Sequence, residues 1–234
     1  MDLIREASKL NIEVSEKANS NLEEYARMML HYNEFMNLTA ITEPEEIREK
    51  HFLDSITLLL SGKISQNCTL IDIGAGAGFP SIPVKIVRED INLTMLDSLN
   101  KRINFLNDVI TRIGITNARA IHSRAEDAGK NKELREQFDV ATARAVADLA
   151  VLAEYALPFV KVGGYFVAMK GTAPETEINN AKKAIREMGG EIEELKEVTL
   201  PSGIEHSLVI IRKVVPTPSK YPRKAGKPSK EPIC

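Results

Sequence analysis

The chain has 234 residues, 43% hydrophobic and 27% charged, with a formal net charge of −2. That length carries one good core and an accessory segment, and the near-neutral balance excludes binding to nucleic acid through a global basic field. No apolar run reaches the length of a membrane span. Met1-Asp2-Leu3-Ile4-Arg5-Glu6 lacks a signal-peptide block, and the two cysteines, Cys68 and Cys234, offer neither a disulfide framework nor metal spacing, so a cytoplasmic protein without metal is expected.

Residues 1–62 read as a helical cap. Leu3, Ile4, Ala7 and Leu10 recur at helical spacing, as do Leu22, Tyr25, Met28, Met29, Tyr32 and Phe35. Asn37-Leu38-Thr39-Ala40-Ile41 breaks that rhythm. Thr42 and Glu45 then form a capping box with Pro44 in the first turn. This predicts a helix through His51 to about Leu60, stopped by Ser61-Gly62.

Residues 63–215 change to strand–helix alternation. Strands are predicted at Thr69–Ile73, Ile91–Leu96, Ala118–Ile121, Phe138–Thr142 and Tyr165–Lys170, the last preceded by a turn at Gly163-Gly164. Helices are predicted over Leu99–Ile113, Val146–Leu157 and Pro174–Met188. Ile192–Leu200 and Ser207–Val214 follow without a helix between them and therefore pair antiparallel. The expectation is a doubly wound α/β domain with a mostly parallel seven-stranded sheet. Residues 216–234 hold five prolines and five Lys/Arg against one acid, Glu231. That composition predicts a flexible tail. It serves either as a phosphate-contacting arm, with Tyr221 stacking on a base, or as a solubilising extension.

Leu70-Ile71-Asp72-Ile73-Gly74-Ala75-Gly76-Ala77-Gly78-Phe79-Pro80 organises the domain. An apolar strand ends in three alternating glycines and leads into a helix, which makes a cradle of backbone N–H groups at the carboxyl end of the first strand. A dinucleotide fingerprint needs a last glycine where Phe79 stands. Phe79 and Pro80 crowd a pyrophosphate and suit a compact adenosyl ligand, which points to S-adenosylmethionine rather than NAD. Asp97, 19 residues beyond Gly78, ends the second strand. It serves as a ribose ligand or as a helix cap ahead of Leu99. Arg124-Ala125-Glu126-Asp127 follows the third strand, at the edge where an adenine is met, or is a solvated charged loop. Arg144 and Asp148 follow the fourth. Arg144 sits among small apolar residues and needs a fixed partner or a ligand, because an unpaired buried charge is costly. Lys170 ends the fifth strand, within reach of RNA phosphate or simply on the surface. His51, Asp54 and Ser55 share a helix face, but no nucleophile elbow accompanies them.

The ordered set Asn37-Leu38-Thr39-Ala40-Ile41, His51-Phe52-Leu53-Asp54-Ser55, Asp72 to Pro80, Asp97-Ser98 with Lys101-Arg102, Arg124-Ala125-Glu126, Ala143-Arg144-Ala145 and Tyr221-Pro222-Arg223-Lys224 resembles the bacterial RsmG family, also called GidB. The resemblance covers nearly the whole chain. It implies a Rossmann-like class I S-adenosylmethionine-dependent methyltransferase that modifies guanine N7 in 16S ribosomal RNA of the small ribosomal subunit or its assembly intermediate. By motif, cofactor contacts fall on Gly74, Phe79, Ala125, Glu126 and Arg144, with Gly76, Gly78 and Asp97 completing the site and Arg144 also assigned to catalysis. Lys101, Arg102, Lys170, Tyr221, Arg223 and Lys224 are the expected RNA contacts, and a monomer is expected. The chain departs from many members at Tyr32-Asn33, where they have Trp before Asn, and at Ser81, where they have Gly. A nicotinamide-dependent oxidoreductase and a non-catalytic RNA-binding module are the competing readings.

Overall fold

The computed structural model describes residues 1–234. Helices α1 (Leu3–Lys9) and α2 (Glu16–Met36) open the chain. Each begins on a side chain that accepts from a first-turn N–H, Asp2 from Arg5 and Ser15 from Ala18. α2 buries Ala18, Leu22, Tyr25, Met29 and Met36 and stops at Asn37, whose φ of 51° is left-handed. The expected capping box is not formed. The next helix starts at Pro44 without a side-chain cap, and the Glu45 carboxylate instead takes the N-terminal ammonium at 2.7 Å. The single regular helix expected to reach Leu60 is a composite, α3: α-helical Pro44–Glu46, π-helical Ile47–Leu53, α-helical Asp54–Ile56 and 3₁₀-helical Thr57–Ser61. Ile47, His51, Phe52, Leu53, Ser55 and Ile56 are all buried. Packing on nearly every side, rather than one amphipathic stripe, sets its winding.

Strands β1 (Thr69–Ile73), β2 (Asn92–Asp97), β3 (Ala118–His122), β4 (Phe138–Arg144), β5 (Val160–Lys170), β6 (Gly190–Thr199) and β7 (Glu205–Lys213) form one seven-stranded sheet in the order β3-β2-β1-β4-β5-β7-β6. β1 to β5 are parallel, and β7 is antiparallel to both neighbours. Helices α4 (Ser81–Val87), α5 (Asn100–Ile113), α7 (Leu149–Ala156) and α8 (Glu175–Glu187) and the single turn α6 (Ala125–Ala128) connect them. A last turn, α9 (Lys227–Lys230), lies in the C-terminal segment.

Alternation along the strands builds two cores, one on each face. Leu70, Leu93 and Val140 face the first core, with Leu22, Tyr25 and Met29 of α2, Phe52 of α3, Ile82 of α4 and Phe105 of α5. The register row Ile71, Ala141, Phe166 and Ile211 faces the second, with Leu152 of α7 and Ile185 of α8. The N-terminal helices thus share one core with the sheet. The strand order reverses between β1 and β4, and the crevice at such a switch point lies outside the carboxyl ends of the strands.

Three local expectations change. β5 begins at Val160 and runs through Gly163-Gly164, where the expected turn is a bulge inside the strand, with Gly163 at φ 89° and a shift in register against β4. A Cβ on Gly164 would come within 2.5 Å of the Asp139 carbonyl oxygen, so this second glycine answers to a close strand approach and the first to the bend. The helix expected from Val146 starts only at Leu149, because Ala145, with φ 54°, redirects the chain after β4. The tail expected to be flexible is docked. The Arg135 guanidinium donates to the carbonyls of Thr217 (2.6 Å) and Tyr221 (2.8 Å), and the Thr217 hydroxyl donates to Met188 O at 2.7 Å.

That docking covers Lys213, which is fully buried and donates from Nζ to Leu157 O at 2.7 Å and to the Thr217 hydroxyl, with Glu136 at 3.3 Å. Burial, partly offset by Glu136, pushes its pKa from 10.5 down to about 8. The unfolded chain binds more protons there than the folded one between those values, so this site makes stability rise with pH across that window. Lys213→Met should remove a slope on the order of 2–3 kcal/mol between pH 8 and 10.5. Urea midpoints of both proteins at pH 8 and 10 check this, and parallel pH profiles would refute it.

Candidate active site

The loop after β1 folds back on the end of β2. Gly74 and Ala75 donate their N–H groups to Leu96 O at 2.8 and 3.0 Å, and Gly76 donates to Asp97 Oδ2 at 2.9 Å. Positive φ values of 72°, 61° and 97° at Gly74, Gly76 and Gly78 make the turn possible. Their surroundings differ. A Cβ on Gly74 would lie 2.9 Å from Val146 Cγ2, and one on Gly78 would lie 2.6 Å from Ile82 Cδ1 and 2.9 Å from the Tyr25 hydroxyl. One on Gly76 would meet only Gly74 O, at 3.8 Å. Gly78 is therefore glycine for packing against α2 and α4, whereas Gly76 keeps an open approach to the main chain.

A cleft of about 180 Å³ opens beside the loop at the carboxyl ends of β1, β2 and β3. Gly74, Asp97, Ala125 and Glu126 line it, with Arg124, Ser98, Ser123 and Val146 at its rim. Asp97, 3% exposed, ties three segments together: Oδ2 takes the Gly76 N–H and Arg102 Nη1 (3.3 Å), and Oδ1 takes the Leu99 N–H at 2.8 Å. It therefore braces the glycine loop and the turn ahead of α5 while lining the cleft, and α5 itself starts without a side-chain cap. Glu126, 4% exposed, accepts the Gly226 N–H at 2.7 Å through Oε1.

Toward the N-terminal helices a polar network replaces apolar packing. Arg144 Nη1 donates to Asp54 Oδ2 at 2.6 Å and to Lys50 O at 3.2 Å, and Nη2 lies 3.4 Å from His51 Nδ1. The guanidinium also lies 4.9 Å from the Phe79 ring centre, and His51 stacks on the same ring at 4.3 Å. The network continues from Asp54 Oδ1 to His206 Nδ1 at 3.2 Å and from His206 Nε2 to Thr57 Oγ1 at 3.0 Å. Burial, reinforced by Arg144, lowers the His51 pKa to about 4. Burial lowers that of His206 too, against the pull of Asp54. The His51 ring is neutral near pH 7, and His206 hydrogen-bonds Thr57 through Nε2 while its Nδ1, facing Asp54, has no hydrogen-bond partner.

Asp72, which carried no functional expectation, is wholly buried at the end of β1, and neither carboxylate oxygen has a hydrogen-bond partner. The Ser81 hydroxyl and N–H face it closely enough to favour its charged form without completing a hydrogen bond. Burial raises the Asp72 pKa to about 7, with Ser81 and Arg144 opposing.

The structure thus brings Gly74, Asp97, Ala125 and Glu126 to one cleft, while Gly76, Gly78 and Arg144 stand outside its lining. Phe79 is buried beneath Arg144 and His51, so its ring is part of the wall. Lys101 is exposed beside Arg102 at the start of α5. Five of the six expected RNA contacts have partners in the fold: Lys101 donates to Met36 O and Arg102 to Asp97, each at 3.3 Å, and the other three are committed away from the cleft. Lys170 pairs with Glu177 at 2.6 Å and donates to Ala147 O at 3.0 Å. The Tyr221 ring is buried and its hydroxyl donates to Glu187 at 2.8 Å. Arg223 is paired with Glu154 at 2.7 Å. Lys224 alone of that motif stays exposed with no partner. Tyr155, Gly226 and Ser229 line the cleft without having been singled out. An acid inside the apolar run at Asp72 was a readable signal, whereas no local pattern marks Gly226, Ser229 or His206.

Solved structures share this architecture. The antibiotic-resistance methyltransferase Kmr is 18% identical with a TM-score of 0.51, covering 67% of this chain and 93% of its own. TYW2 of P. horikoshii, solved in complex with MeSAdo, is 16% identical with a TM-score of 0.55, covering 70% and 62%. The fold is that of the class I S-adenosylmethionine-dependent methyltransferases. The family model described as GidB, rRNA small subunit methyltransferase G, matches residues 18–207. The ribosomal RNA small subunit methyltransferase G of Alkaliphilus metalliredigens (strain QYMF) is 50% identical over 226 residues, 96% of this chain and 95% of that protein. The one from Thermoanaerobacter sp. (strain X514) is 52% identical over 214 residues, 91% and 89% of the two chains. This chain belongs to the GidB family.

The buried Asp72 carboxyl gives a direct test of the site's electrostatics. Its folded pKa of about 7 exceeds the ordinary 3.8, so the stability it contributes is full below 3.8 and is lost as pH rises through 7. Asp72→Asn should be the more stable protein at pH 8 by on the order of 2–4 kcal/mol relative to its standing at pH 5. Denaturant titrations of both proteins at the two pH values check this, and a difference independent of pH would refute it.

Proposed function

We propose that this chain transfers a methyl group from S-adenosylmethionine to N7 of a guanosine in 16S ribosomal RNA, acting as a cytoplasmic monomer on the small ribosomal subunit or its assembly intermediate. The observation that carries this reading is the cleft at the carboxyl ends of β1, β2 and β3, in a chain half identical over nearly its full length to rRNA small subunit methyltransferases G. No helix is long and apolar enough to cross a membrane, which fits a cytoplasmic setting.

The residues present fit an adenosyl cofactor. Gly76 leaves room for a ligand against the main chain. Asp97 and Glu126 offer carboxylates for ribose hydroxyls and an adenine edge, and Ala125 begins the turn beside them. At the loop end, Arg144 has an Nε–H that makes no hydrogen bond. The unpartnered Asp72 carboxylate suits a cationic amino group. The buried Phe79, in place of the last glycine of a dinucleotide loop, argues against a nicotinamide enzyme, and a non-catalytic RNA module leaves the cleft without a task.

When bound, S-adenosylmethionine supplies a methyl group made electrophilic by its positively charged sulfur. Guanine N7 carries a lone pair and no proton, so no side chain has to act as a base. The chain's work is alignment and exclusion of water. Asp54 and neutral His51 hold Arg144 in place, and Phe79 closes the wall beneath them. Lys101, Arg102, Arg124 and Lys224 rim the carboxyl edge and are the cations assigned to RNA phosphate.

Mapping of 7-methylguanosine in ribosomal RNA from cells with and without the gene tests the reaction. The mark should vanish on deletion and return with the wild-type chain, and a mark that persists without the gene would overturn the proposal. In the purified protein, Gly76→Ala should weaken S-adenosylhomocysteine binding at least tenfold by calorimetry. Its melting midpoint should fall only a few degrees, about 1 kcal/mol for an alanine at positive φ. Unchanged affinity would move the cofactor away from the loop.

A further inference from the structure

The C-terminal segment is pinned by buried groups rather than lying loosely on the surface. Glu154 on α7, 1% exposed, receives the Arg223 backbone N–H at 2.7 Å, Nε at 3.0 Å and Nη2 at 2.7 Å. A carboxylate so enclosed needs those donors, because without them it is a buried, unpaired charge. Pro222 and Tyr221 are buried just before this pin, and Pro228 just after it. Three residues past Arg223, the chain turns at Gly226, with φ 80°, and presents its N–H to Glu126 Oε1. The other side of the Glu126 carboxylate faces the Tyr155 hydroxyl and the cleft. Gly226 and Ser229 then line the cleft together with Asp97 and Ser98. Tyr155 lines the same side, one residue after the pin. Burial raises its hydroxyl pKa, and both Glu126 and Ser229 stand close enough to perturb it.

We propose that residues 223–229 are the adenosine-facing wall of the cofactor cleft. Arg223 is a positioning residue that pins this strap to α7. The Gly226 N–H holds one oxygen of Glu126 and so fixes the carboxylate that faces the adenosyl moiety beside Tyr155. Ser229 and Tyr155 close the side. The proposal rests on the reading of the cleft as an S-adenosylmethionine site, and it assigns to this basic segment a task in holding the nucleoside that its composition alone does not suggest.

The test uses the full chain, with S-adenosylhomocysteine and 5′-methylthioadenosine as probes. Arg223→Ala should weaken both ligands by the same factor, tenfold or more, because the lost wall faces the adenosine they share. Calorimetry is run well below the variant's own melting midpoint, so that only folded protein is compared. A strap that merely braces the fold would lower the midpoint and leave both affinities unchanged, and that result overturns the proposal. The chain has no tryptophan, so Ser229→Trp at this exposed position gives a single reporter even if Arg223→Ala does not fold. Its emission should shift on addition of either ligand, and its affinity for both should fall. An emission blind to ligand, with wild-type affinity, also overturns the proposal. Should the wild-type chain bind neither probe, the methyltransferase reading itself fails, an outcome distinct from equal binding by wild type and variants.

Discussion

The N–H groups of Gly74, Ala75 and Gly76 turn back onto the end of β2, and the cleft depends on that turn. The backbone must take positive φ at three positions to do it, and one of the three donors ends on the Asp97 carboxylate. Asp97 also holds the Leu99 N–H and Arg102, so a single buried acid joins the loop after β1 to the start of α5. Gly78 has no room for a side chain because Tyr25 and Ile82 press against it. The same contact seats α2 on the loop, with the Tyr25 hydroxyl donating to Ala77 O. The N-terminal helices are thus part of what gives the loop its shape.

Charge is buried here under strict pairing. Arg144 would be expensive in its apolar setting without Asp54, and Asp54 in turn is shared with His206. The network crosses from β4 to α3 to β7 and rests on Phe79, so the β4 end, the cap and the glycine loop are fixed relative to one another. Asp72 is the exception. Its carboxyl is buried and unpartnered beneath the loop, which places an unmet hydrogen-bonding demand where a ligand would be held.

The C-terminal segment belongs to the same economy. Lys213, Glu154 and Glu126 are three buried or nearly buried charged residues in the body of the domain, and each finds a partner in residues 217–226. Proline and glycine in this stretch do not signal disorder. They let the chain follow an irregular path from one of these partners to the next.

The sequence by itself determined the strand–helix alternation, the glycine loop, Asp97 and Glu126 as residues at strand ends, and the family. These features are local. Hydrophobic alternation, glycine spacing and strand-end position are read within a few residues, and the physics that makes them is equally short-ranged. Only the tertiary structure decided the winding of α3, the passage of β5 through Gly163-Gly164, the difference between Gly76 and Gly78, and the fate of the tail. Each of these turns on a partner far away in the chain. Glu154 and Arg223 are separated by 69 residues, Glu126 and Gly226 by 100, and Thr57 and His206 by 149. Composition reports that a segment is basic and proline-rich. Whether its arginine meets solvent, phosphate or a buried glutamate depends on what the fold brings beside it, and that is settled by the desolvation of groups the segment never neighbours in sequence.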